Sequence, residues 1–269
     1  MPELPEVETS VKGIARIQSK TIKRFNINQL NLRWKIDVSA LETLVGQRIL
    51  NIRRRAKYII ISCGKGSMII HLGMSGTLRL AKNTTNVFKT HDHFEIIFEK
   101  IKLIFNDPRR FGSLHFTLNP DDHFLIKHLG TEPLSNTFNN RYLFNVVKKL
   151  SSPIKSILMN QRWVVGIGNI YVNEILFASK INPRRRGKYI TKKMCKEIVI
   201  HTKKILNRAI KKGGTTLKDF HNPSGDLGYF KIDLKVYNRQ GEPCFVCKNK
   251  IDAFKINQRS TFVCKKCQN

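Results

Sequence analysis

Four cysteines near the C-terminus are spaced for a soft metal ion: Cys244-x-x-Cys247, sixteen residues, then Cys264-x-x-Cys267. A two-residue gap lets both thiolates of one turn reach a single ion. Two such turns supply the four sulfur ligands of tetrahedral zinc, one ion per chain. The other use of four cysteines is two disulfides. Against it, the remaining Cys63 and Cys195 are isolated and no secretory signal is visible. The stretch Lys248 to Val263 suits a β-hairpin with a basic tip, Asn257-Gln258-Arg259. A metal-stapled hairpin of this kind serves to place its tip against a partner, and the cation points to nucleic acid.

A second reactive group stands at the other end, in Met-Pro-Glu-Leu-Pro-Glu-Val-Glu. Removal of methionine before a residue as small as proline would leave Pro2 as a terminal secondary amine. A terminal amine has a pKa near roughly 8, well below lysine, so part of it is unprotonated at neutral pH. Such an amine attacks an aldehyde-like carbon and forms an iminium, with Glu3 beside it to give or take a proton. The same residues would also serve simply to open a helix, acids at its positive end.

These groups need a scaffold. Val7, Val11, Ile14 and Ala15 fall on one face of a helix over Glu6 to Ile17. From Thr21 to Phe116 the pattern changes to short β-rich runs, among them Tyr58–Ser62, Ser67–Leu72, Phe94–Phe98 and Leu103–Phe105. Many short strands with few helices predict a β-sandwich. Helices are expected over Asp122–Leu129, Asn139–Leu150, Pro153–Met159, Ile170–Ser179 and Lys192–Lys212, the last stopped by Gly213-Gly214. The fold class is α+β. The expected parts are a β-sandwich domain over 1–131, a helical domain over 132–235 and a zinc finger over 236–269, with Thr131–Thr137 as linker. No internal repeat or low-complexity tract interrupts this order.

Lys and Arg number 49 against 19 Asp and Glu, a net charge of +30, and the hydrophobic content of 41% allows a packed core. Such an excess of cations suits a polyanion, nucleic acid first and an anionic membrane surface second. No apolar run approaches the roughly 20 residues of a membrane span.

Beyond these features, the opening Met-Pro-Glu-Leu-Pro-Glu-Val-Glu-Thr resembles the start of bacterial formamidopyrimidine-DNA glycosylases. The resemblance recurs at His71-Leu-Gly-Met74-Ser-Gly, His91-Asp-His93, Asn106-Asp-Pro-Arg109-Arg-Phe111-Gly, Gly166-Ile-Gly-Asn169-Ile-Tyr, Gly213-Gly-Thr-Thr-Leu-Lys218-Asp-Phe, Gly241-Glu-Pro-Cys244 and Gln258-Arg259-Ser-Thr-Phe. The blocks keep family order over essentially the whole chain. The resemblance implies a bifunctional glycosylase and AP lyase acting on duplex DNA with oxidised purines or abasic sites. It implies a monomer in the bacterial cytoplasm, associated with the nucleoid and not with membranes.

By this resemblance Pro2 is the nucleophile at the sugar C1′, Glu3 the general acid, and Lys57 an aid to base excision and β-elimination. Arg259 grips phosphate and is linked to δ-elimination. Met74, Arg109 and Phe111 fill the gap left by the extruded nucleotide. This fits the need of such an enzyme to take its target out of the stack. His91, Lys155, Asn169 and Lys218 match DNA-contacting positions, with Asn169 read as the N-cap of an apolar helix, and Thr215 to Tyr229 match a loop over the oxidised base. Three positions depart from the pattern: Leu150 for a DNA-contacting lysine, Thr131 for a proline, and Asn160 for an aspartate. An endonuclease VIII-like enzyme for oxidised pyrimidines is the nearest alternative, opposed by Leu4 and the Asp-Pro-Arg-Arg-Phe-Gly block. A catalytically silent zinc-bearing DNA-binding protein would share everything but Pro2, Glu3 and Lys57.

Overall fold

The computed structural model describes residues 2–84, 89–214 and 234–268. The chain divides into two compact units, 1–127 with 212–230, and 128–211 with 231–269. The zinc hairpin therefore groups with the helices, and Thr131–Thr137 falls inside the second unit.

The first unit opens with helix α1, Leu4–Gly13, followed by a 3-10 turn over Ala15–Ile17. The predicted helix thus starts two residues earlier, because Glu3 and Glu6 form a reciprocal capping box. Among the described residues eight strands follow: β1 (Arg24–Ile27), β2 (Ile49–Arg55), β3 (Tyr58–Cys63), β4 (Gly66–His71), β5 (Thr77–Lys82), β6 (Asp92–Ile97), β7 (Ile101–Asn106) and β8 (Ser113–Thr117), with a short helix α2 (Val38–Glu42) after β1. They form two antiparallel four-stranded sheets, ordered β1-β6-β7-β5 and β2-β3-β4-β8. Alternate residues of both sheets share one core: Ile59, Ile61, Met68 and Ile70 from one, Leu78, Phe94, Ile96, Leu103 and Phe105 from the other. This is the expected sandwich.

The helix expected over Asp122–Leu129 is not formed. A 3-10 turn over Pro120–Asp122 stops at His123, whose backbone is extended. The rings of His123 and Phe124 instead join Trp34 and His115 in an aromatic cluster. Side-chain packing here overrides helix propensity.

The second unit contains α3 (Asn140–Val147), α4 (Ile154–Met159), α5 (Asn169–Ala178) and α6 (Lys192–Lys211), then the ribbon β9 (Asp252–Ile256) and β10 (Arg259–Val263). Two of the sequence departures are absorbed here. Thr131 donates its backbone N–H to Trp163 O at 3.1 Å, a bond proline lacks the hydrogen to make. Asn160 Oδ1 accepts the Arg162 N–H at 3.0 Å, as an aspartate oxygen would. Among the described residues no helix is long and apolar enough to cross a membrane.

Candidate active site and zinc hairpin

In the first unit, Pro2 and Glu3 lead directly into α1, and both are buried, Glu3 to 2% exposure. The Glu3 N–H donates to Glu6 Oε2 at 2.9 Å, and Glu6 is itself fully buried. Lys57 stands in the two-residue turn between β2 and β3, beside Ala56 at φ 54°. That turn is tied to α1 through Arg54. Its Nε donates to Glu8 Oε2 at 2.8 Å, and its Nη1 donates to the Ala56 carbonyl at 3.0 Å. The helix that presents Pro2 and Glu3 is thereby linked to the loop that presents Lys57. Burial, then the positive charges of Lys57 and Arg33, push His71 down to about 4. The neutral ring accepts the Gly73 N–H on Nδ1 at 3.0 Å.

Met74 and Phe111 are left out of the core, at 38% and 43% exposure. The Arg109 guanidinium lies over the Phe111 ring, 5.3 Å from its centre. The two loops that carry these residues touch at their backbones. A β-carbon on Gly73, where φ is +64°, would lie 2.4 Å from the Phe111 carbonyl carbon, so only glycine fits. One residue joins both loops. Asp107, with no exposed surface, accepts from Ser75 Oγ at 2.5 Å, from Gly112 N–H at 2.7 Å and from Arg109 N–H at 3.3 Å. His91 also belongs to this region. Its side chain is exposed, its φ is +72°, and its carbonyl accepts the Asp107 N–H at 3.1 Å. The rest of the His-Asp-His run is structural: Asp92 is paired with Arg79, and His93 Nε2 meets the Asp107 carbonyl at 2.7 Å.

In the second unit, the four cysteine sulfurs all lie within 4.8 Å of one another. The Cys244–Cys267 and Cys247–Cys264 sulfurs are 3.9 and 3.3 Å apart. Tetrahedral zinc with Zn–S bonds of about 2.3 Å needs sulfurs about 3.8 Å apart, so the donor set fits. Burial and then the neighbouring sulfurs push Cys267 up to about 12, an opposition to ionisation that a divalent cation removes. Cys63 and Cys195 are buried thiols pushed up to about 11 and 12, remote from such chemistry.

The ribbon turns at Asn257-Gln258, both residues at positive φ, 48° and 60°. Arg259 is exposed and opens β10 immediately after this type I′ turn, one step past the tip. Its neighbour is clamped. The Ser260 carbonyl accepts from Lys155 Nζ at 2.7 Å and from Asn169 Nδ2 at 3.1 Å. Lys155 Nζ also donates to Thr261 Oγ1 at 2.8 Å, and Asn173 Oδ1 accepts the Phe262 N–H at 2.9 Å. Lys155, expected at a phosphate, is 1% exposed and serves the ribbon instead. Asn169 is the first residue of α5, and Gly168 takes the N-cap position expected for it. Lys218 and the loop Thr215 to Tyr229 lie outside the described residues.

Sequence reasoning missed Asp107, Arg54, Asn173 and Glu174. The Glu174 carboxylate accepts the backbone N–H groups of Lys235, Val236 and Tyr237 at 2.9–3.0 Å, anchoring the segment that enters the zinc module. The signal for Asp107 and Glu174 was a carboxylate set among apolar or turn residues, where only a hydrogen-bonding role is tolerated.

A sandwich that buries a proline and a glutamate at its first helix, and a helical unit that carries a four-cysteine ribbon fit for zinc, are the parts expected of a zinc-bearing DNA-repair glycosylase. The family descriptions agree. Residues 1–114 match the formamidopyrimidine-DNA glycosylase N-terminal domain, 129–221 the formamidopyrimidine-DNA glycosylase H2TH domain, and 241–269 the zinc finger found in FPG and IleRS. The chain belongs to the formamidopyrimidine-DNA glycosylase family. It is 44% identical over 271 residues to the enzyme of that name from Hydrogenovibrio crunogenus, covering 100% of this chain and 96% of the relative. It is 46% identical over 270 residues to that of Aliivibrio fischeri, covering 100% and 98%. Among solved structures, the MutM (Fpg) protein of Thermus thermophilus superposes with a TM-score of 0.89 at 31% identity, covering 99% and 98% of the two chains. The Lactococcus lactis Fpg bound to DNA containing N7-benzyl-Fapy-dG superposes at 0.91 and 32%, covering 99% of both.

Proposed function

We propose that this glycosylase and AP lyase removes 8-oxoguanine and formamidopyrimidines from duplex DNA by attack of the Pro2 amine on C1′ of the extruded nucleotide. The base leaves as the C1′–N bond breaks and the Pro2 nitrogen bonds to C1′. The C1′–O4′ bond then opens, its oxygen taking a proton, and an iminium joins Pro2 to the ring-opened sugar. Glu3 supplies the proton the reaction consumes, and Lys57 assists base loss and removal of the C2′ proton. β-Elimination then expels the 3′-phosphate and δ-elimination the 5′-phosphate, leaving a one-nucleotide gap. Arg259 holds a phosphate for the second step. Met74, Arg109 and Phe111 occupy the emptied stack, the two apolar side chains offsetting the missing base stacking and the guanidinium meeting the orphaned base. Zinc, when bound, supplies no chemistry to this route; it closes the ribbon that carries Arg259. His91 contacts the DNA backbone. The reaction belongs in the bacterial cytoplasm, on the nucleoid, and the enzyme acts as a monomer.

The observation that carries this reading is the linkage of Pro2, Glu3 and Lys57 through one helix and one arginine-tied turn. The test is a comparison of substrates. Glu3→Gln is expected to retain DNA binding, to lose 8-oxoguanine excision, and to keep most cleavage of a preformed abasic site, which no longer carries a base to expel. Equal loss on both substrates would remove Glu3 from the acid role.

A further inference from the structure

The run Asn182-Pro183-Arg184-Arg185-Arg186-Gly187-Lys188-Tyr189 belongs to none of the sites above. Its backbone is laid along the segment leading from α3 into α4. Ile154 N–H donates to the Arg185 carbonyl at 2.8 Å, Gly187 N–H to Ser152 O at 3.0 Å, and Lys188 N–H to Leu150 O at 2.8 Å. Asn182 Oδ1 braces the turn by accepting the Arg184 N–H at 3.0 Å. A β-carbon on Gly187 would lie 2.6 Å from Ile157 Cδ1 and 2.7 Å from the Leu150 and Val147 carbonyl oxygens, so the segment is packed tightly on what lies beneath it. The cations it carries are mounted on a fixed backbone.

Arg184, Arg186 and Lys188 are exposed, and Tyr189 is 59% exposed beside them. The run borders an open cleft of about 530 Å³ lined by Asn182, the three arginines and Tyr189. Arg184 stacks on Phe254 of β9, 3.9 Å from the ring centre, which ties the run to the zinc ribbon. Among the described residues, no carboxylate forms an ion pair with any of these four cations. Uncompensated like charges on a rigid segment repel one another, an arrangement that gains stability when a polyanion covers it. An open cleft with exposed donors holds a small anion weakly, because salt screens each interaction. A polyanion is held by the release of its condensed counterions wherever a cation meets a phosphate.

We propose that the Arg184–Tyr189 cleft is a phosphate-binding surface for duplex DNA, additional to the grip of Arg259. It holds flanking backbone and reads no sequence. The proposal rests on duplex DNA being the substrate of this enzyme.

The test uses the full-length zinc-loaded protein and two variants, Arg186→Gln/Lys188→Gln and Arg186→Glu/Lys188→Glu. Affinity for an undamaged duplex is titrated at several salt concentrations. The neutral variant is expected to lower the slope of log affinity against log salt by roughly 0.9 for each phosphate left unneutralised, about 1.8 for the pair. The charge-reversed variant should weaken binding further. Zinc content and the single-turnover nicking rate at saturating enzyme should be unchanged. An unchanged slope in both variants overturns the proposal. So does saturable binding of inorganic phosphate at Tyr189, seen by NMR, with the DNA slope unaltered, which would make the cleft a small-anion site. Failure of the wild-type protein to nick an 8-oxoguanine duplex would strike the functional reading instead, while the slope comparison on undamaged DNA would still decide the cleft.

Discussion

Met74 and Phe111 stand on loops held by one buried carboxylate, Asp107, at the edge of a large sandwich core, whereas Arg259 stands on a two-stranded ribbon held by four thiolates and three polar side chains. The sandwich supplies rigidity through apolar burial, and its loops need only a local tie. The ribbon has a small core of its own, chiefly Val236, Ile251, Phe262 and two cysteines against Phe177. An isolated two-stranded ribbon is marginal at best in water. Metal and hydrogen bonds from α4 and α5 therefore replace what hydrophobic area supplies elsewhere. Damage to the two regions should differ in kind. The ribbon should unfold locally with loss of metal, while the sandwich loops should lose placement with the fold intact.

The largest effect is expected from the zinc site. Structural zinc contributes an apparent 10–16 kcal/mol, roughly, to small zinc folds at pH 7. Cys247→Ser or chelation should therefore disorder β9 and β10 and abolish the phosphate grip of Arg259, with the sandwich unmoved. Amide hydrogen exchange resolved by segment checks this, and equal deprotection of β3 and β4 would erase the distinction between the regions.

Next is Asp107→Ala. It strands the buried Gly112 N–H and the buried Ser75 hydroxyl, at about 1–3 kcal/mol each. Excision from duplex DNA should fall by at least tenfold while cleavage of an abasic site in single-stranded DNA, which needs no gap filled, falls much less. Parallel nicking assays on the two substrates would show it. Lys155→Met removes two charge-assisted hydrogen bonds, roughly 1.5–3 kcal/mol each, and should raise exchange in β10 without changing zinc stoichiometry by metal analysis. A phosphate-binding role for Lys155 would instead lower the salt slope and leave β10 protected.

The smallest effects belong to pH and to Arg54. His71 and His115 are both held down at about 4. Burial is the first cause for each. The unfolded chain, with histidines near 6.5, binds more protons than the folded one in this window. The stability they contribute is full above pH 6.5 and is lost as pH falls towards 4. Histidine NMR titration with parallel denaturant melts should show that decline, and a flat profile between pH 7 and 4 would contradict it. Arg54→Met breaks a largely buried pair with Glu8 and should slow excision modestly through Lys57, with abasic-site binding unaffected.

Much of this was legible in the residues. The cysteine spacing points to the metal, the short β-rich runs Tyr58–Ser62 and Phe94–Phe98 mark sandwich strands, and the Asn-Gln turn marks the ribbon. What stayed hidden was tertiary. Nothing local says that Lys155 points inward, because its partners Ser260 and Thr261 are distant in sequence. Asp107 looks like an ordinary turn residue until Ser75 and Gly112 arrive beside it. The segment Asp122–Leu129 has a helical pattern, and only the rings of Trp34 and His115 show why no helix forms there.

The central claim is that the Pro2 amine does the covalent chemistry, and the direct measurement is borohydride reduction during reaction with an 8-oxoguanine:cytosine duplex, followed by proteolysis and mass analysis of the adduct. The prediction is a single DNA adduct on the N-terminal peptide, at Pro2, in protein one methionine short of the full chain. An adduct on Lys57, or full trapping by protein that retains Met1, would contradict it.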